Sequence, residues 1–201
     1  MNPTALVLLD YFGIAVFAIS GALVAAERRL DFVTFIFFAV VTGVGGGTIR
    51  DLLIGAPVFW VHTNATLLIC IAAALLIWVA SHRWFAGKSL LWFDAAGMTA
   101  YATYGAAKAL GYGVAPVPAF VMGVLTACAG GIIRDVLASE PSVLMRRELY
   151  VTPAALSAAT FVALNFIGFH VWPAAGIAIT LGFALRAGAI TRGWSLPPYS
   201  G

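Results

Sequence analysis

Of 201 residues, 62% are hydrophobic and only 9% charged, whereas a soluble domain carries about a quarter charged residues. Such a chain is an integral membrane protein, with almost no sequence left over for an extramembrane domain. The net charge of +3 comes from a few Lys and Arg between apolar runs, which membrane topology requires, and so implies no nucleic-acid partner.

A bilayer needs about 20 apolar residues per spanning helix. Charge clusters and Gly/Pro punctuation divide the chain into seven such segments, at 4–26, 32–54, 65–81, 90–110, 116–138, 151–169 and 171–190. The start, Met-Asn-Pro-Thr, lacks a basic n-region, so the first segment is expected to be retained as a span. The last two segments are joined so tightly, through Gly168, Phe169 and His170, that they must form an antiparallel hairpin.

The second segment contains Thr-Gly-Val-Gly-Gly-Gly-Thr-Ile-Arg-Asp at 42–51. Each glycine costs roughly 1 kcal/mol against alanine in a helix interior, and a charged pair is expensive at membrane depth. The fifth segment repeats the pattern as Ala-Gly-Gly-Ile-Ile-Arg-Asp at 129–135. An ungapped offset of 84 residues aligns the two and also brings Asp10 onto Asp94, Gly13 onto Gly97, Gly21 onto Gly105 and Pro57 onto Pro141. The chain therefore divides into a first three-helix unit at 1–84, a second at 85–170, and a seventh helix with a tail at 171–201. Three spans per unit turn the second upside down in the membrane, as in the inverted repeats of transport proteins. The predicted fold is all-α, a 3+3 inverted repeat plus one helix.

Lys and Arg set the orientation. Arg28, Arg29, Arg83, Lys88, Arg146, Arg147 and Arg192 fall on the face of the C-terminus, and chiefly Lys108 on the other. The C-terminus is thus expected in the cytoplasm and the N-terminus outside, in a cell inner membrane.

Gly45, Gly46, Gly47 and Thr48, with Gly130 and Gly131, admit two readings. Small residues let helices two and five pack closely, or they kink or break both helices near the midplane, exposing carbonyls that replace part of a cation's hydration shell. The doubling favours the second. The run is neither a dinucleotide fingerprint nor a P-loop. Arg50, Asp51, Arg134 and Asp135 are functional candidates by their depth, either as structural ion pairs or as a pore lining, and the expected pairs are Asp10 with Arg50 and Asp94 with Arg134. Lys108 has no charged counterpart in the first unit, where Val24 stands. It is either a snorkelling lysine or a gate.

Thr42, Thr48, Thr99, Thr103, Tyr101, Tyr104, Thr126 and Ser20 put hydroxyls inside the spans; many will bond a preceding carbonyl, and those beside the glycines, above all Thr48, are the better lining candidates. His62, His82 and His170 have no metal-ligand spacing, and Cys70 and Cys128 read as small buried hydrophobes. Trp60, Trp84, Trp92, Trp172 and Trp194 read as an interfacial belt. No nucleophile with a base can be assembled, so no enzyme and no cofactor are expected.

The doubled glycine and Arg-Asp signature, with Pro57-Val-Phe-Trp60, resembles the bacterial members of the trimeric intracellular cation (TRIC) channel family over nearly the whole chain. The resemblance implies a homotrimer in the lipid bilayer with a potassium-permeable pore in each protomer, helices two and five kinked at the glycines, and an outside N-terminus. Ala129 stands where the first run has Gly45, so helix five is expected to kink less. Bacterial relatives also carry a glycine-transporter label, and a secondary transporter for a small amino acid is the alternative, with half-helix amides and arginines holding a carboxylate. Size favours the channel, because about 200 residues leave little for two gates and a rocking bundle.

Overall fold

The computed structural model describes residues 3–80, 89–145 and 149–197. His82, Arg83, Trp84, Lys88, Arg146 and Arg147, and the expected boundary between the two units, lie outside the described residues.

Seven α-helices follow the apolar segments: α1 (Pro3–Glu27), α2 (Phe32–Leu53), α3 (Asn64–Val79), α4 (Ser89–Gly111), α5 (Pro116–Leu137), α6 (Val151–Phe166) and α7 (Val171–Arg192). Local chemistry sets their ends. Asp31 caps α2 by accepting from the Thr34 amide at 3.0 Å and the Thr34 hydroxyl at 2.6 Å, and these donors hold its carboxyl below the usual aspartate range. Helix α5 starts on Pro116 and Pro118, whose missing N–H groups cost nothing in a first turn. Helix α6 stops at Phe166, earlier than expected, because Gly168 turns the chain at φ 86°. His170 Nδ1 then accepts from the Trp172 amide and starts α7, closing the hairpin.

Among the described residues, α1, α2, α5 and α7 have the length and apolarity to cross a membrane outright. Helices α3 and α6 have 16 residues each, about 24 Å at 1.5 Å per residue, and sit on the outside of their units. Helix α4 is long enough at 23 residues, but Asp94, Lys108 and its threonines and tyrosines make it the least apolar of the long helices. It lies at the centre instead, packed against α1, α5, α6 and α7.

The helices pack as the repeat requires. Helices α1, α2 and α3 pack together as α4, α5 and α6 do, while α1 meets α4 and α2 meets α5 at the junction of the units. At the first of these junctions Phe17 meets its own counterpart Tyr101, the rings 5.4 Å apart and nearly perpendicular. Gly13 makes room for the Tyr101 ring, and its counterpart Gly97 lies against Phe17.

The α2–α5 junction is reciprocal as well. A Cβ on Gly46 would lie 2.2 Å from the carbonyl oxygen of Thr126, and a Cβ on Gly130 would lie 2.5 Å from the carbonyl oxygen of Thr42. Each glycine thus receives the backbone of the other helix one turn away. Both helices stay continuously α-helical through these runs, so the broken half-helices expected as one reading of the sequence do not form. The reason is the solvent: a broken helix would free amides and carbonyls that hydrocarbon cannot satisfy, whereas an intact helix with glycine at the crossing keeps every bond and still lets the backbones touch.

Because backbone rather than a flexible side chain would be struck, Gly46→Ala and Gly130→Ala should each destabilise the protein by about 1–3 kcal/mol. Gly176, in α7, has open space around it, and Gly176→Ala should be neutral or stabilising by up to about 1 kcal/mol. Thermal unfolding in detergent, compared across the three variants, checks both expectations.

Candidate functional site

The charged residues that interrupt α1, α2, α4 and α5 gather into two clusters, one toward each membrane face. The first lies on the face of the N-terminus. Asp51, completely buried, is its centre. Arg50 Nε donates to Asp51 Oδ1 at 2.9 Å, Lys108 Nζ lies 2.8 Å from Oδ1 and donates to Oδ2 at 2.9 Å, and the Phe59 amide donates to Oδ2 at 3.1 Å. The Arg50 guanidinium lies 5.1 Å from the centre of the Tyr104 ring and 5.9 Å from that of Phe59, a partly aromatic environment that compensates a desolvated cation. Phe59 reaches this place over Gly47, where a Cβ would stand 2.6 Å from its ring.

The second cluster lies on the opposite face. Arg134 joins two carboxylates, with Nη1 donating to Asp94 Oδ1 at 2.9 Å and Nη2 to Asp135 Oδ1 at 2.9 Å. It also donates to the Ser20 hydroxyl. Ser20 and Tyr104 occupy equivalent positions of the repeat, so each arginine is received by the same place on the other unit, once by a ring and once by a hydroxyl.

The structure thus brings Asp94 and Arg134 together and does not bring Asp10 and Arg50 together as an ion pair. Asp10 instead accepts from the Tyr101 hydroxyl at 3.1 Å. The difference traces to one atom: Phe17, the counterpart of Tyr101, has no hydroxyl to offer, so Asp94 turns to Arg134, while in the first cluster Arg50 is held by Asp51 and stacked on Tyr104. Lys108 does not snorkel. Its side chain, only 15% exposed, turns inward to Asp51 and lies 5.6 Å from the centre of the Phe59 ring.

The hydroxyls divide similarly. Thr99, Thr103 and Thr126 donate to carbonyls one turn back. Thr48 donates to the Val44 carbonyl at 2.7 Å and accepts from the Trp60 indole at 2.9 Å. Trp60 is therefore a strut between the α2–α3 loop and α2 rather than a free member of an interfacial belt. One residue escaped the sequence reading altogether. Arg186 of α7 is completely buried, donates to the Leu149 carbonyl at 2.7 Å and lies 5.5 Å from the centre of the Tyr150 ring, tying the seventh helix to the segment before α6. Its signal was available, since a lone arginine in an apolar span is costly unless it has work to do.

Beside the second cluster a cavity of about 110 Å³ opens toward the surface. Its rim carries Glu27, Arg28 and Glu140, and Arg28 and Glu140 form an ion pair between the ends of α1 and α5. Both side chains are roughly two-fifths exposed, so this pair adds little stability, about 0–1 kcal/mol.

The buried pairs differ in what their loss would leave behind. Arg134→Met strands two carboxylates and should cost about 3–5 kcal/mol. Lys108→Met leaves Asp51 with Arg50 and the Phe59 amide and should cost clearly less, about 1.5–3 kcal/mol for one charged hydrogen bond. Unfolding midpoints of the two variants in one detergent give the order.

The sequence profile described as "Glycine transporter" matches residues 7–82 and again 91–166, and the two matches begin 84 positions apart. A UPF0126 membrane protein of Vibrio cholerae is 38% identical over all of this chain and 85% of its own length. The UPF0126 inner membrane protein YadS of Escherichia coli is 42% identical over 72% of this chain and 71% of its own. Among solved structures, the TRIC trimeric intracellular cation channel orthologue from Rhodobacter sphaeroides superposes with a TM-score of 0.88, at 43% identity, over 95% of this chain and all of that one. A second TRIC cation channel structure, described for its conductance, gives 0.83 at 31% identity, over 96% of each chain. With this fold, this doubled Arg-Asp signature and these relatives, the chain belongs to the bacterial TRIC channel family, a multi-pass membrane family whose members also carry the glycine-transporter description.

Proposed function

We propose that the protein is a potassium-permeable cation channel that works as a homotrimer with one pore inside each protomer. The observation that carries this reading is the likeness to solved TRIC cation channels along nearly the whole chain. The placement of the charges supports it: one cluster lies toward each face, and between them α2 and α5 cross with glycine on both sides. Backbone carbonyls make the closest approaches to Gly46 and Gly130 in that crossing.

The pathway runs from the cavity beside Arg134, past Asp94 and Asp135, through the crossing at Gly46 and Gly130, and out past Asp51. In the arrangement described, the crossing is shut by backbone contact and the far end by Arg50, Phe59 and Lys108. Bending of α2 at Gly45, Gly46 and Gly47 and of α5 at Gly130 and Gly131 parts the crossing, and an intact helix can bend there without losing its bonds. Lys108 is the gate at the far end, because its release from Asp51 unblocks the exit. The units 1–84 and 85–170 move as the two halves of this device, with 171–201 bracing the second through Arg186. The basic residues between spans put the C-terminus in the cytoplasm and the N-terminus outside the inner membrane. The cavity then opens to the cytoplasm.

Liposomes with purified protein provide the test. An imposed potassium gradient should dissipate rapidly, without a coupling ion, and Lys108→Met should change the single-channel conductance or open probability. Saturable uptake of labelled glycine without potassium conductance would overturn the channel in favour of the transporter. A single-channel record unaltered by Lys108→Met would remove Lys108 from the gate.

A further inference from the structure

The two units cover the last glycine of each run differently. Tyr150, at the start of α6, brings its hydroxyl over Gly131, whereas Phe59 reaches Gly47 from within a loop. That loop, residues 54–63, turns back over the end of α2 that carries Asp51. Gly55 begins the turn at φ 67° with open space around it, and the Ala56 amide donates to the Asp51 carbonyl at 2.8 Å. Two hydrogen bonds then bring the middle of the loop down onto α2. The Phe59 amide donates to Asp51 Oδ2, the oxygen to which Lys108 also donates. The Trp60 indole donates to the Thr48 hydroxyl at 2.9 Å.

The second of these bonds lands on the part of α2 that can bend. The Thr48 hydroxyl also donates to the Val44 carbonyl, so one oxygen joins the residue before Gly45, Gly46 and Gly47, the residue after them, and the loop. Threonines bonded back to the preceding turn are themselves a cause of helix bending. A bend of α2 at the glycines moves the Thr48 oxygen away from its place over Val44 and shifts the seat of the Phe59 ring with it. The fold of a unit does not require the Trp60–Thr48 bond. The equivalent positions in the second unit are Leu144 and Ile132, which can neither donate nor accept, and the three helices of that unit form all the same. Leu144 is 44% exposed. The bond belongs to one end of the molecule, the end that Lys108 closes.

We propose that residues 54–63 form a lid over the Asp51 end of the protomer, and that Trp60 is the positioning residue that couples this lid to α2. When α2 bends at its glycines, the Trp60–Thr48 bond is drawn out of line and breaks, and the loop lifts about Gly55. The Phe59 amide then leaves Asp51 and its ring leaves Gly47. Thr63, whose hydroxyl caps α3 by accepting from the Ala65 amide, fixes the other end of the moving segment. Because the Phe59 amide and the Lys108 ammonium share Asp51 Oδ2, the lid and the lysine let go of the same atom, and opening is one event rather than two. The lid rests on the channel reading, to which it adds the element that joins the bend in α2 to the exit, but its movement can be followed without any measurement of flux.

Amide hydrogen exchange of the purified protein, read together with single-channel recording of the same preparations, tests it. Thr48→Val and Trp60→Phe each remove one partner of the bond and keep most of the bulk. The amides of residues 55–62 should exchange about two- to tenfold faster in either variant, as the loss of one hydrogen bond allows, and the open probability should rise by a similar factor. Both substitutions remove the same bond, so the double variant should go no further than either single one. A bond that merely holds the loop in place would speed exchange and leave the open probability alone, and that outcome overturns the lid. Unchanged exchange, or additive effects of the two substitutions, overturns it too. Should one variant not fold, the two readings on the other decide. Wild-type protein without cation flux, together with faster exchange in the variants, keeps the lid and removes the channel. Cation flux with exchange and open probability indifferent to both substitutions keeps the channel and removes the lid.

Discussion

The structure depends on the absence of water in the hydrocarbon layer. Every polar group that enters must find its partner within the protein, and this chain takes Arg50, Arg134, Arg186, Asp10, Asp51, Asp94 and Asp135 into its buried interior. The rest of the architecture can be understood as provision for them. Helix α4 is central and contributes to both clusters, with Asp94 near one end and Lys108 near the other. Glycines at 47 and 131 stand beside the arginines because Phe59 and the Tyr150 hydroxyl occupy the space where a Cβ would be, and these aromatic groups cover the clusters. Helix α7, outside the repeat, adds Arg186 at the start of α6.

The inverted repeat turns one solution into two. A chain that can seal an Arg-Asp pair under an aromatic cover near one face can do the same near the other when the unit is turned over. The junction needs only that the units approach closely, and the reciprocal fit of Gly46 on Thr126 and Gly130 on Thr42 provides this through backbone contact. Close backbone contact and intact helices are then compatible, which broken helices would not have allowed without a covering of water or protein.

Much of this was legible in the sequence, and the rest was hidden for definable reasons. Span positions follow from hydrophobic length and Gly/Pro punctuation, and the 84-residue offset exposes the repeat because inherited glycines and charges sit at unchanged spacing. The offset also points to Asp94 as a neighbour of Arg134. It misleads for Asp10 and Arg50, because the two units diverge at Phe17 and Tyr101, and the effect of one hydroxyl across the α1–α4 contact depends on helix rotation, which spacing does not reveal. The fates of Thr48 and Lys108 were obscure for the same reason: each is decided by a residue from a different element, Trp60 and Asp51. Kink and break of α2 and α5 both stay open in the sequence, because glycine propensity measured in water overstates the cost of glycine where hydrocarbon forbids any alternative to the helix.

The pairing of Phe17 with Tyr101 carries a consequence for the ancestry of such chains. Two identical units meeting as a symmetric pair would present the same residue twice at this contact, either two rings without a hydroxyl or two with one, and the two faces of the membrane would see the same chemistry. Once both units lie on a single chain, each can drift alone. Tyr101 then serves Asp10 without obliging Phe17 to serve Asp94, and a lysine can be kept on one side only. Fusion thereby grants what symmetry withholds, a molecule able to tell inside from outside.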